Sequence, residues 1–582
     1  MFLRYKVLAV LSICMLSAYS QMKKPFTEAD VRQQHWVDSV FKKLKRNERI
    51  GQMFFLRAHT NMGKAYEDSV GKVIERAKVG GVVFFQGGPD RQVALTRKYQ
   101  AFSTVPLLVA MDAEWGLGMR LDSTISYPYQ MTLGAIQDNS LIYQMGKQIA
   151  LDFKRMGMHL NFAPVSDVNN NPRNPVINYR SFGDNKYNVA LKAEAYMNGL
   201  QDEGVLVSIK HFPGHGDTEV DSHGDLPKLN FSRRRLDSLE LYPFKELINK
   251  GASGVMVAHM NIPTLDSTLN LPSTLSKPIV TGLLKQDLGF QGLAISDAME
   301  MKGVTKFFPG GEADVRAIIA GNDIIELSEN TERAIRLTRE AIKARRLRWH
   351  QVNVSVKKIL AAKYWAGLGS RTVMPDSTSL YQYLNRPEAL ALNQKLSDAA
   401  VTVLKRDSLL RSFNLNENTA ILSLGVTDVT VFQRELGGQF VNSTNFILSK
   451  IASEVDITKV RKELKNFKQV IVAIHDYRKR PQSVLDYNAT LKSFIAELSG
   501  YNALVCVFAN PYTITGLPGI ENAKTILMNY QNSDEMQRAS TKVILGKIPA
   551  SGRLPVSINA LFKAGDGIQY FPVPPPVSGQ LK

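Results

Sequence analysis

Eight short apolar runs, each followed by enough chain for a helix, occupy the first two-thirds of this sequence. They fall at 52–57, 81–86, 107–111, 160–163, 205–209, 255–260, 293–296 and 324–327. Strands that alternate with helices run parallel, because each crossover returns the chain to the same end of the sheet. Eight such units predict a closed (β/α)8 barrel, whose active site belongs at the C-terminal ends of its strands. Polar residues gather at that end. Asp112 follows the third run, Asp167 the fourth, Lys210 and His211 the fifth and Asp297 the seventh, while His259 ends the sixth. A packed core alone does not require that polarity.

The densest chemistry lies after the fifth run, in Lys-His-Phe-Pro-Gly-His-Gly-Asp-Thr-Glu-Val-Asp-Ser-His, residues 210–223. Three of the nine histidines of the chain and three acids share these fourteen positions. Pro213 stops the segment from continuing as a helix, and Gly214, Gly216 and Gly224 loosen it. Titratable groups on a loop at a strand end point to proton transfer. A metallohydrolase using His211, His215, Asp217 and His223 is one alternative. However, Pro213 and Gly214 lie between the first two histidines and work against the helix that aligns such a pair.

Beyond the barrel, 367–387 is rich in Gly, Ser, Thr and Pro and reads as a linker. A second α/β unit follows, with strands expected at 401–404, 419–424, 469–474, 503–508 and 525–529, and with no G-x-G-x-x-G fingerprint for a dinucleotide. The expected organisation is a leader at 1–20, a barrel at 21–366, the linker, an α/β sandwich domain at 388–565 and an extended Pro-rich tail at 566–582. In the leader, Arg4 and Lys6 precede an apolar stretch at 7–16 that is too short to span a bilayer, and Ala18 and Ser20 are small enough for cleavage. Ile13 stands where a lipoprotein leader wants a small residue, so lipidation at Cys14 is not expected. Export to the periplasm or cell surface is expected, with no integral membrane segment once the leader is removed. Cys506 is then the sole cysteine and lies in an apolar run. The formal charge of +19 suits an acidic partner or simply a lysine-rich solvated surface. No nucleic-acid motif is present.

At these motifs the chain resembles family 3 glycoside hydrolases, specifically the β-N-acetylglucosaminidases that process peptidoglycan. The resemblance rests on the 210–223 segment, on Ile-Ser-Asp-Ala-Met-Glu at 295–300, on Met-Asp-Ala-Glu-Trp-Gly at 111–116 with Arg120, and on Asn-Tyr-Arg-Ser-Phe-Gly at 178–183. Gly-Lys-Ile-Pro-Ala-Ser-Gly-Arg-Leu-Pro at 546–555 resembles the signature turn of the second domain in two-domain members. The resemblance implies Asp297 as nucleophile and His223 as general acid/base assisted by Asp221. It implies Asp112, Arg120, Arg180, Lys210 and His211 as sugar-binding residues, with no metal and no cofactor. The implied activity is retaining hydrolysis of terminal β-linked GlcNAc from cell-wall oligosaccharides or muropeptides, by a monomer. A β-glucosidase, an N-acetylglucosaminide phosphorylase or a non-catalytic glycan-binding protein on the same fold are the alternatives. Glu114, Asp167 and His259 are expected only to support the barrel rim, Glu326 to be structural, and Arg180 to have Asp184 or another nearby acid to pair with.

Overall fold

The computed structural model describes residues 24–222, 224–308, 311–369, 377–406, 414–499, 501 and 503–571. The expected leader with Cys14, the end of the Pro-rich tail and His223 lie outside the described residues.

The first unit is the expected barrel. Its strands are β1 Phe54–Ala58, β2 Gly81–Phe84, β3 Leu108–Met111, β4 Leu160–Asn161, β5 Leu206–Val207, β6 Ile209–Phe212, β7 Gly254–Val257, β8 Leu293–Ser296 and β9 Ile325–Glu326. β9, β1, β2, β3, β4 and β5 pair in that order, all parallel, and β6, β7 and β8 form a second parallel set. A bridge between Ile295 and Ile324 closes the ring between β8 and β9. On the opposite side, the chain steps from β5 to β6 across Ser208. The fifth strand is thus broken and longer than the apolar run suggested. Lys210 and His211 lie inside β6, not beyond a strand end. Backbone bonds explain the extension: Lys210 N donates to Pro164 O, Ser166 N to Lys210 O and Ala258 N to Phe212 O. The Lys210 ammonium is tolerated there because it is ion-paired with Asp112 and Glu114 at the barrel mouth.

The strands are short and almost wholly apolar, and they are buried on both faces as parallel strands require. Helices wrap them. Helix Asn139–Arg155 starts at Asp138, whose carboxylate accepts from Ser140 N, and helix Lys186–Asp202 starts at Asn185, which accepts from Tyr187 N. These two helices pack so closely that a Cβ on Gly199 would lie 2.2 Å from Tyr143 O.

The second unit is a six-stranded mixed sheet. Its strands are β10 Thr402–Arg406, β11 Thr419–Leu424, β12 Ser443–Leu448, β13 Gln469–His475, β14 Ala503–Phe508 and β15 Thr525–Met528, in the order β10-β15-β14-β13-β11-β12. Only β10 is antiparallel to its neighbour. The strand β12 escapes sequence reading because it is an edge strand with no apolar alternation, Ser-Thr-Asn-Phe-Ile-Leu, three polar residues followed by three apolar ones and largely exposed or half-buried. Cys506 is buried in β14, and burial pushes its thiol up to about 12, so it is an inert core residue. The expected linker is partly helical, with a short helix at Leu380–Leu384, while 370–376 lie outside the described residues.

The signature turn at 546–555 docks the two units. Arg553 N donates to Ala135 O, and Asp184 N donates to Pro555 O. Gly183, at φ +138°, has no room for a side chain, because a Cβ would lie 2.1 Å from Pro555 O. Among the described residues no helix is long and apolar enough to cross a membrane.

Candidate active site

The first functional side chains follow β3. The buried amide of Asn161 on β4 clamps Ala113, accepting from its N–H at 3.0 Å and donating to its carbonyl at 3.2 Å. The Tyr196 hydroxyl donates to the same carbonyl at 2.9 Å. Ala113 sits between Asp112 and Glu114, so the clamp fixes both carboxylates. The ammonium of Lys210, on β6, lies between them, 2.7 Å from Asp112 Oδ1 and 2.8 Å from Glu114 Oε1. Arg120 holds the other oxygen of Asp112 at 2.7 Å. Arg180 forms a two-pronged pair with Glu114 at 2.9 and 2.6 Å and approaches His211 Nε2 at 3.4 Å.

Lys210 is 2% exposed and the Glu114 side chain 0%, so this is a desolvated ion network. Burial alone would raise both carboxyls. The cations outweigh it: Arg180 and Lys210 bring Glu114 down to about 2, and Lys210 and Arg120 hold Asp112 well below the usual range. Reciprocally, Asp112 and Glu114 keep Lys210 charged against the opposing effect of burial. Each partner is tolerated inside the protein because the others are there.

Asp167, after β4, grips the next element. It accepts from His211 N at 3.1 Å and from His215 N at 2.7 Å, and it meets His211 Nδ1 at 2.7 Å. Burial opposes its ionisation, yet His211 and then His215 lower it. The His211 ring is thereby turned with Nε2 toward Arg180. His215 is buried, and burial takes it down to about 4, so it is a neutral imidazole at neutral pH. Its ring nitrogens meet the hydroxyls of Thr218 at 2.8 Å and Ser222 at 3.1 Å. This ties both ends of the 218–222 segment to one ring, an arrangement different from the metal ligation considered for it. Val220 is 44% exposed. The carbonyl of Asp221 accepts from Gly224 N and Asp225 N in a turn at the end of this segment.

Asp297 directly follows β8. Its N–H donates to Val257 O on β7 at 3.0 Å, and Ala298 N donates to its Oδ1 at 2.8 Å. His259, fully buried, meets Thr274 Oγ1 and the Ala298 carbonyl, steadying the turn after Asp297. Asp112, Lys210 and Asp297 are close enough for all three to act electrostatically on Glu326 at the end of β9. The sequence-derived set Asp112, Arg120, Arg180, Lys210, His211 and Asp297 is therefore gathered at the C-terminal mouth of the barrel.

These strand-end groups lie within the span matched by the pattern described as the Glycosyl hydrolase family 3 N terminal domain, residues 46–362. The chain belongs to glycosyl hydrolase family 3. It is a glycoside hydrolase. Over 556 residues it is 28% identical to Beta-hexosaminidase A of Pseudoalteromonas piscicida, an alignment covering 84% of this chain and 90% of that protein. It is 24% identical over 554 residues to the Beta-N-acetylglucosaminidase/beta-glucosidase of Cellulomonas fimi, covering 90% and 95%. Among solved structures, a glycoside hydrolase family 3 β-N-acetylglucosaminidase from Paenibacillus sp. str. FPU-7 superposes with a TM-score of 0.74 at 28% identity, covering 89% of this chain and 99% of that one.

Two corrections concern residues of this family 3 site. Glu114 and Asp167 do more than support the rim: Glu114 is the ionic partner of both Lys210 and Arg180, and Asp167 positions His211. Arg180 pairs with Glu114 and not with Asp184, whose carboxylate accepts from Ser557 N in the second unit. An aromatic wall was missed altogether. Trp115 and Tyr129 stand edge to face with centroids 4.8 Å apart, and Tyr179 is tilted against Tyr129 at 4.9 Å. Trp115 and Tyr179 are chain neighbours of Glu114 and Arg180, and that adjacency was the available signal. Also missed was the reach of the second unit: Ser483, Asn510 and Tyr512 bond the segment that carries Arg180.

Proposed function

We propose that this protein is a retaining exo-β-N-acetylglucosaminidase acting on GlcNAc-containing cell-wall fragments of the GlcNAc-MurNAc type. The observation that carries the reading is the network of Asp112, Glu114, Lys210 and Arg180 beside the strand-end carboxylate of Asp297. A sugar presents adjacent hydroxyls and, in GlcNAc, an acetamido oxygen. Asp112 supplies acceptor oxygens for the hydroxyls, while Lys210, Arg120 and Arg180 supply donors only. The hexosaminidase names of the relatives support GlcNAc as the glycone.

In this reading Asp297 attacks the anomeric carbon as the glycosidic C–O bond breaks, giving a covalent glycosyl-aspartate. His223 gives the departing oxygen its proton and then removes a proton from the water that releases the sugar. A histidine suits both steps, because its unperturbed pKa of about 6.5 lies near working pH. Asp221 orients that ring. The enzyme is exported by its leader and works as a monomer outside the cytoplasm.

The test is product analysis by mass spectrometry after incubation with purified peptidoglycan fragments and with chitobiose, with and without phosphate. The reading predicts free GlcNAc, formed fastest from GlcNAc-MurNAc fragments and at a rate independent of phosphate. Release only from glucosides, or accumulation of a sugar 1-phosphate, contradicts it.

A further inference from the structure

The aromatic wall borders a cavity of about 450 Å³ between the two units, which no step above uses. Small-molecule sites commonly fall within about 300–1,000 Å³. Thr124, Ile125, Ser126 and Tyr129, from the segment after β3, line its barrel side. The segments after β13 and β15 line the other, Lys479 and Asn532 among them. Both units thus turn the C-terminal ends of parallel strands to one space, and ligands bind at such ends in barrels and open α/β sheets alike.

Tyr129 joins this cavity to the pair of Glu114 and Arg180. Its N–H donates to Gln531 Oε1 at 2.8 Å and its hydroxyl to Lys479 O at 3.4 Å, so the second unit holds it at both ends. Its ring packs on Trp115 and Tyr179, the chain neighbours of Glu114 and Arg180. All three rings are half-buried and keep part of their surface open. The charges beside them are uneven. Arg478 is committed to Asp476, at 2.8 and 2.7 Å. Lys479 and Arg480 are exposed and have no ion-pair partner among the described residues. Lys479 lines the cavity, and Arg480 is near enough to act electrostatically on the Tyr179 phenol. The other acid of the lining, Glu535, lies beside the helix Pro387–Ala400, whose Gln394 Nε2 donates to its carbonyl at 3.0 Å. Two uncommitted cations therefore flank the aromatic wall.

Resting on the reading of a GlcNAc hydrolase acting on cell-wall fragments, we propose that this cavity is the aglycone subsite, and that Lys479 and Arg480 are its specificity-determining residues, receiving the carboxylate of an acidic aglycone. A carboxylate gains charge-assisted hydrogen bonds from the two cations, and a neutral aglycone gains none. The second unit then selects the group that leaves, while the barrel holds the sugar that is attacked.

Two sources carry such a carboxylate, the lactyl group of MurNAc and a peptide amide-linked to it, and paired substrates separate them. The first pair is GlcNAc-MurNAc and its lactyl methyl ester. The second is GlcNAc-MurNAc-dipeptide, whose lactyl carboxyl is already an amide, and its peptide ester. GlcNAc release from each is measured for wild type and for two double variants, Lys479→Ala with Arg480→Ala and Lys479→Glu with Arg480→Glu. In at least one pair wild type should prefer the acid by about tenfold in kcat/KM, with the difference lying in KM. The alanine variant should abolish that preference, the glutamate variant should invert it, and added salt should shrink it in wild type. Each ratio is taken within one protein, so a general loss of activity does not imitate the effect. A preference that survives in the alanine variant, or wild type without a preference in either pair, overturns the proposal. GlcNAc release from chitobiose without any such preference sinks the subsite alone and leaves the hydrolase reading standing. No GlcNAc release from any of these substrates overturns both.

Discussion

The side-chain amide of Asn510, in the second unit, donates a hydrogen bond to Asn178 Oδ1, two residues before Arg180. Asn178 itself takes a left-handed backbone conformation, φ +38°, which asparagine tolerates better than most residues. Its Nδ2 donates to Ser483 Oγ at 2.8 Å, and its N–H to Asn169 Oδ1 at 3.0 Å. The neighbouring amide of Asn174 donates to His215 O. Arg180 is thus placed by a chain of amides that starts in the loop after β14 of the second unit and ends in the 210–223 segment. The second unit acts as a splint for Arg180, the arginine proposed to bind sugar.

Replacing Asn510 by alanine should therefore weaken substrate binding more than chemistry. The expected effect is a KM increase of roughly 5- to 20-fold with a smaller fall in kcat, because Arg180 becomes less well held. One buried partner lost should cost about 1–2 kcal/mol in urea unfolding. Steady-state kinetics on a disaccharide and equilibrium unfolding measure both.

Lys210→Met should be far more severe. It leaves Asp112 and Glu114 buried with their shared cation gone, a situation that costs about 3–5 kcal/mol. Turnover should fall by about 10³-fold or more, because the sugar loses both a donor and a correctly charged acceptor pair. Adding Glu114→Gln to Lys210→Met should recover part of the stability and none of the activity. Urea midpoints and turnover of the single and double variants form the check.

Acid should unfold this site in a defined direction. Glu114 is depressed to about 2, and Asp112 and Asp167 are depressed as well. Groups lowered by folding contribute stability that is fully present above their unfolded values and lost as pH falls through their folded ones. Stability should therefore drop as pH falls from about 4.5 toward about 2. The Glu114→Gln protein should show a shallower slope over that window. Tm recorded against pH for the two proteins tests the sign.

His223→Ala should depend on the leaving group. An activated phenol departs with little protonation, whereas a sugar alcohol requires it. The loss should be small on aryl glycosides and roughly 10²- to 10⁴-fold on disaccharides, with Asp221→Ala following more mildly. Equal loss on both substrate types would mean that His223 binds substrate and donates no proton.

Much of this was legible in the sequence because apolar runs and strand-end acids are local patterns. All eight expected barrel strand positions contain strands, and strands β11 and β14 match their expected bounds. What escaped was non-local. The Ser208 break and the extension through Lys210 and His211 depend on backbone partners at Pro164, Ser166 and Ala258. The role of Glu114 cannot be read without knowing that Lys210 and Arg180, far along the chain, converge on it. Edge strand β12 lacks the apolar face that marks a strand. Asn510 carries no local sign that it supports Arg180, since its partner lies 332 residues away.

Asp297 is the residue on which the proposed double displacement depends. A 2-deoxy-2-fluoro glycosyl donor with a good leaving group, which forms the glycosyl-enzyme but slows its release, should trap the intermediate. Peptide mapping of the inactivated protein by mass spectrometry should place the added sugar on Asp297, and Asp297→Ala should take up no label and turn over no substrate. A label on any other residue, or an active Asp297→Ala enzyme, contradicts the account.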